Sequence, residues 1–185
     1  MSKGNARILL ALDNQLQIQD FQDRNGIDCT NDGLCFNDWY NLHQQARIPL
    51  GPKLYMANSR LANGMQLSRD LTPLQEAVRH GDLSMADPNW VEVPEDQIQG
   101  GDTFIIPGYV QLDPQDPLTG RTSYIQGHIG FVRYNVQARQ WEAVSTNVNA
   151  DPQWNVMPLE QMEGYPQAQV RVRFFHWNGP VRSKP

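Results

Sequence analysis

The chain has little that would tie it to nucleic acid, to a membrane or to an oxidising compartment. Its 15 lysines and arginines are outnumbered by 20 acidic residues, giving a formal net charge of −5, and no basic run or stripe interrupts the sequence. A nucleic-acid partner, whose phosphates must be neutralised, is therefore not expected. No apolar run approaches the length of a membrane span, so no membrane partner is expected either. Ile8-Leu9-Leu10-Ala11-Leu12 is too short for a signal-peptide core, and Asp13 and Asn14 follow where small cleavage-site residues would stand. The sequence thus predicts synthesis in the cytoplasm without a signal peptide, any export being left to a dedicated machine. Cysteine is scarce: Cys29 and Cys35 are the only two, and in a chain without a leader they read as free thiols. The histidines are scattered and the cysteines lack a second pair at zinc spacing, so no metal site is expected. No phosphate loop or dinucleotide fingerprint is present, and no cofactor is predicted. Internal repeats and low-complexity tracts are missing too.

What remains is an ordinary globular composition. At 185 residues, 39% hydrophobic and 19% charged, the chain can bury one proper core and is short for two. Abundant Asn, Gln, Gly and Pro suit a loop-rich α+β fold. Leu9, Leu12 and Leu16 recur at helical spacing and predict an amphipathic helix over 5–22, ended by the turn Asn25-Gly26. A second helix is predicted from Cys29, or just after, to Ala46. Cys35, Trp39, Leu42 and Ala46 form its buried stripe, Thr30, Asn31 and Asp32 are its capping residues, and Pro49 and Pro52 stop it. Within 53–97, helices are predicted over 54–67 and 73–80, and Asp87-Pro88-Asn89 reads as a turn.

The later half reads as β-structure. Strands are predicted over 103–106, 127–134, 140–145 and 169–175, with a loop or long hairpin tip over 111–121. In the last strand Val170, Val172 and Phe174 alternate with Arg171 and Arg173, which predicts one buried and one wet face. Helices first and an antiparallel sheet afterwards define the α+β class. Asp102, in a Gly-Gly-Asp turn, is expected to launch the 103–106 strand. The five tryptophans are expected in the core or along a groove wall.

Two stretches carry the chemistry. Asn25-Gly26-Ile27-Asp28-Cys29-Thr30 sets a thiol at a predicted helix start, and Gly127-His128-Ile129-Gly130-Phe131-Val132 sets an imidazole at the opening of an apolar strand. The thiolate is the nucleophilic form, and a free cysteine titrates near pH 8.5, so it needs a helix N-terminus and a nearby imidazole to react at neutral pH. Cys29 lies among Asp28, Thr30, Asn31 and Asp32, which is not a core-like neighbourhood. Cys35 is the alternative nucleophile, although its place on the Trp39/Leu42 stripe favours the core. Only His128 of the four histidines opens an apolar strand inside a Gly-x-x-Gly frame, which marks it as the general base.

These segments resemble those of the NlpC-type cysteine peptidases, a papain-like group that cuts cell-wall peptides. Gly26-Ile27-Asp28-Cys29-Thr30 with Gly33-Leu34 looks like the family's G-x-D-C-S-G-L, with Asn31 and Asp32 as an insertion. Ile98-Gln99-Gly100-Gly101-Asp102-Thr103-Phe104-Ile105-Ile106 resembles its L-x-P-G-D-L-V-F-F, and Gly127-His128-Ile129-Gly130-Phe131-Val132 its G-H-V-G-I-Y. The three stand in the family's order over residues 26–145. The separation of Cys29 from His128 is wider than in compact members and looks more like the peptidoglycan amidase effectors delivered by type VI secretion, which also lack a leader.

The resemblance implies a single papain-like domain over 1–185, with N-terminal helices packed on an antiparallel sheet and 53–97 as an insertion or lid-like segment. It implies hydrolysis of a peptidoglycan peptide amide through a thioester, an antibacterial toxin-like role after export to a target-cell periplasm, and a cognate immunity protein as partner. Cys29 is then the nucleophile and His128 the base. Glu142 stands where the family has a second histidine and would orient the imidazole, with Asn147 as the alternative third residue. The same cysteine–histidine pair also suits a deamidase or acyltransferase acting on a protein side chain, and a papain-fold binding or phage structural module without catalysis is the remaining alternative.

Overall fold

Local sequence decides where the helices begin and end. The first, α1, spans Lys3–Arg24; the Ser2 hydroxyl caps it by accepting the Asn5 N–H at 3.1 Å. It is longer than predicted at both ends. The second, α2, spans Cys35–Gln45 and buries the expected stripe of Trp39, Leu42 and, just beyond it, Ala46. The third, α3, covers Pro73–His80, where Thr72 and Gln75 form a reciprocal capping box, Pro73 takes the first turn and Gly81 stops the helix at φ 70°. A short helix, α4, follows at Leu159–Glu163.

The structure, a computed structural model, describes residues 1–27, 35–52, 72–107, 109–112, 122–125, 127–146, 153–163 and 171–183. The predicted start of the second helix at Cys29 and the predicted 54–67 helix lie outside these residues, as does most of 111–121.

Eight strands are described: β1 Trp90–Val93, β2 Thr103–Ile106, β3 Tyr109–Leu112, β4 Thr122–Ile125, β5 His128–Asn135, β6 Gln140–Ser145, β7 Asn155–Pro158 and β8 Arg173–Trp177. Six form one antiparallel sheet in the order β1-β8-β2-β5-β6-β7, while β3 and β4 pair as a separate hairpin. The α+β class is therefore as expected.

Three strand expectations change. The predicted 169–175 strand is described only at Arg173–Trp177, and it lies between β1 and β2 with both faces covered. Phe174 packs on one side of the sheet and Phe175 on the other, so the one-wet-face alternation does not apply there. Trp90–Val93, expected inside an insertion or lid-like segment, is an edge strand of the main sheet, with Trp90 and Trp177 paired across β1 and β8. β7 had no counterpart in the sequence reading.

Each sheet face has its own core. Ile105, Ile129, Phe131, Val144 and Phe175 join Ile8 and Leu12 of α1 and Trp39 and Leu42 of α2. On the opposite face Phe104, Ile106, Val132, Ala143 and Phe174 pack with Leu159 and Met162 of α4. Trp39 is fully buried, and its indole N–H donates to Thr103 Oγ1 at 2.9 Å. Gly130 lets β5 sit close to its neighbours: a Cβ there would lie 2.5 Å from the Val144 carbonyl oxygen and 2.7 Å from the Phe104 ring.

Candidate functional site

His128 is the first residue of β5 and pairs with Ile106 of β2. Strand alternation sends its side chain to the α4 side of the sheet, with the Phe104 ring at 5.9 Å between centroids. Nε2 lies 2.8 Å from the Ser145 hydroxyl. Val144 pairs with Phe131, so one further step of the β5–β6 register puts Ser145 opposite Gly130, diagonal to His128 and on the same face. Ser145 is buried and His128 half-buried, so the contact is partly shielded from water.

Burial lowers the His128 pKa to about 4. The ring is neutral at pH 7 and can accept a proton. Neutral imidazole bonds the serine in either tautomer. When Nε2–H donates to Ser145 Oγ, the lone pair is on Nδ1, which has no hydrogen-bond partner among the described residues. Among the described residues the ring is thus held at Nε2 and unpartnered at Nδ1.

The two cysteines part company. Cys35 opens α2, and its thiol lies against the backbone of Ile129, the residue after His128. It packs with the cluster that includes Ile129 and Phe131, so it occupies the face of β5 opposite His128. Burial pushes its pKa up to about 11, leaving it a thiol at neutral pH. The structure does not bring Cys35 and His128 together as a nucleophile–base pair. Cys29 lies outside the described residues.

Glu142 does not meet His128. It pairs with Arg133 in the β5–β6 register, on the other face of the sheet. Its oxygens accept from Arg133 Nε at 2.8 Å and Asn135 Nδ2 at 2.7 Å, and burial holds the carboxylate in that clasp. The expected third-residue role is thus corrected on geometry, and Ser145 is the side chain that holds the ring. Asn147 lies outside the described residues.

His43 and His176 are buried. His43 donates from Nδ1 to the Trp39 carbonyl oxygen at 2.8 Å, and burial lowers its pKa to about 3. It sits within stacking distance of Trp39 and Phe131 in the core. His176 lies 2.8 Å by Nδ1 from Asp102 Oδ1, which also accepts from Asn5 Nδ2 at 2.5 Å, while Asp102 Oδ2 accepts the Gln99 N–H at 2.7 Å. This network fastens α1 to the turn that launches β2, the place expected for Asp102. Burial raises the Asp102 pKa. No thiol or hydroxyl nucleophile stands against this pair among the described residues.

Among the described residues no group of three or more His, Cys, Asp or Glu side chains is gathered as metal ligands, and no helix is long and apolar enough to cross a membrane. Compared with protein-family models, with curated proteins and with solved structures, the chain matches none.

Proposed function

We propose that this protein is a papain-like cysteine amidase that cuts a peptide amide of peptidoglycan, with Cys29 as nucleophile and His128 as general base. The observation that carries the reading is the contact of His128 Nε2 with Ser145 Oγ at 2.8 Å, on a ring whose Nδ1 has no partner among the described residues. The place of Cys35 on the face of β5 opposite His128, with a pKa raised by burial, supports Cys29 over this alternative nucleophile. The choice of substrate rests on the resemblance of the Cys29, Asp102 and His128 segments to the NlpC-type peptidases.

In this mechanism His128 Nδ1 takes the Cys29 proton as sulfur attacks the amide carbonyl carbon. A neutral resting ring means that the proton moves during attack, not beforehand. The tetrahedral intermediate collapses with cleavage of the C–N bond, and the imidazolium passes its proton to the leaving amine. A thioester remains. Water then attacks it while the imidazole takes one water proton, and collapse releases the carboxylic acid and returns the proton to sulfur. Ser145 holds the ring in one orientation throughout.

The test is incubation of purified protein with Gram-negative peptidoglycan sacculi and mass spectrometry of the soluble fragments. New fragments carrying a freed amine and a freed carboxyl support the reading. Ammonia release from protein glutamine with intact sacculi would replace it by the deamidase, and neither product would leave the non-catalytic module.

A further inference from the structure

The other end of α2 presents a surface of different character. A groove of about 400 Å³ runs between α1 and the end of α2, lined by Arg7, Leu10, Ala11, Asn14, Ala46 and Arg47, with Gln45 at its edge. Arg182 closes one side: its backbone N–H donates to the Arg47 carbonyl oxygen at 3.1 Å, and its own carbonyl oxygen accepts from Arg7 Nη1 at 3.3 Å. Two arginines, Arg7 and Arg47, therefore line this groove in a chain of net charge −5. Neither has a carboxylate partner among the described residues. Asp13, the nearest acidic residue along α1, is directed to Arg133 at 4.0 Å instead.

Arg47 adds an independent observation. It occupies the left-handed position after α2 at φ 63°. Its N–H bonds the Gln44 carbonyl oxygen and the Ile48 N–H bonds that of His43, the pattern of a Schellman stop. Glycine or asparagine is the low-energy residue in that position, and a long side chain is strained there. Here the strained position is held by an arginine that lines the groove together with Arg7.

We infer that this groove binds an acidic peptide segment of a partner protein, Arg7 and Arg47 clasping its carboxylates and Leu10 and Ala11 receiving an adjoining apolar side chain. A guanidinium fork matches a carboxylate in plane and spacing. Leu10 is 64% exposed and supplies the apolar contact that a bare anion would not use. Asn14 offers an amide to a peptide backbone, while Gln45 Oε1 already accepts from Gln15 Nε2 at 3.0 Å. A polyanion such as nucleic acid needs a run of cations, and the groove holds only a compact cluster. The site lies a helix length from Cys35, about 17 Å at 1.5 Å per residue, so it is separate from the His128 end.

The experiment is calorimetric titration, at low ionic strength, of an acetylated and amidated peptide of alternating Leu and Glu into the full chain. The Leu-Gln counterpart, sodium phosphate and soluble muropeptides are run in parallel, with Arg7→Gln and Arg47→Gly as variants. Glycine suits the left-handed backbone, so Arg47→Gly keeps the helix stop, and a thermal unfolding curve verifies each fold. The expected result is saturable binding of the Glu peptide, weakened at least tenfold by either variant, by the Gln replacement and by raised salt. Unaltered binding by folded variants, equal binding of the Gln peptide, no saturation at millimolar peptide, or equally tight binding of phosphate or muropeptides would overturn the inference.

Discussion

Ser145 Oγ stands 2.8 Å from His128 Nε2, the serine buried and the imidazole half-buried. In the proposed reaction Ser145 is a positioning residue. Ser145→Ala is expected to lower kcat about 10- to 100-fold with little change in KM, while Ser145→Thr restores most of the loss. The His128 ring resonances should show exchange between tautomers in the alanine variant only. An unchanged kcat with an unchanged ring spectrum would make the contact merely structural.

The two thiols are expected to differ in reactivity. With its pKa near 11, Cys35 should be alkylated by iodoacetamide at pH 7.5 far more slowly than a model thiol. Cys29 should react at least as fast as that model thiol. Peptide mapping after brief labelling of the native protein separates the two sites. Preferential labelling of Cys35 would move the nucleophile to α2.

Trp39 joins α2 to the sheet by packing and by its bond to Thr103. Trp39→Ala is expected to cost about 3–5 kcal/mol in unfolding free energy, and Trp39→Phe, which keeps the ring but leaves Thr103 without its donor, about 1–2 kcal/mol. Urea unfolding with an unchanged slope reads both. A loss under 1 kcal/mol for the alanine variant would contradict the placement of α2.

Two buried histidines set the acid limb of stability. His128 and His43 have folded pKa values of about 4 and 3 against an ordinary 6.5. Between pH 6.5 and those values the unfolded chain binds more protons, so their contribution is present above about 6.5 and falls as the pH drops. Each histidine adds a slope approaching ~1.4 kcal/mol per pH unit. Asp102, raised by burial, acts in the opposite sense over the window above its ordinary carboxylate range. The urea midpoint should fall from pH 6.5 towards 4, and His43→Phe should shallow that fall. A midpoint flat across this range would show that both rings are protonated in the fold.

The stripe of α2 and the β5–β6 hairpin were readable because their signals are local: helical spacing for Trp39 and Leu42, and an apolar run opened by His128. Glu142 was not, since its face depends on the register of the hairpin, and the register sends it to Arg133. The same register would have pointed to Ser145, opposite Gly130. Arg171 and Arg173 suggested a strand with a wet face; Arg173 instead reaches Glu92 and Asp82 at the edge while Phe174 and Phe175 fill two cores. β1 is only four residues long and finds its partner, β8, at the far end of the chain, a pairing that no local pattern encodes.

The most direct test of the catalytic pair is a comparison of wild type with Cys29→Ala, Cys35→Ala and His128→Ala on Gram-negative sacculi, with fragments identified by mass spectrometry and each fold verified by circular dichroism. The expected result is the same fragments from wild type and Cys35→Ala and none from the other two. Fragments from folded Cys29→Ala, or none from wild type, would contradict the account.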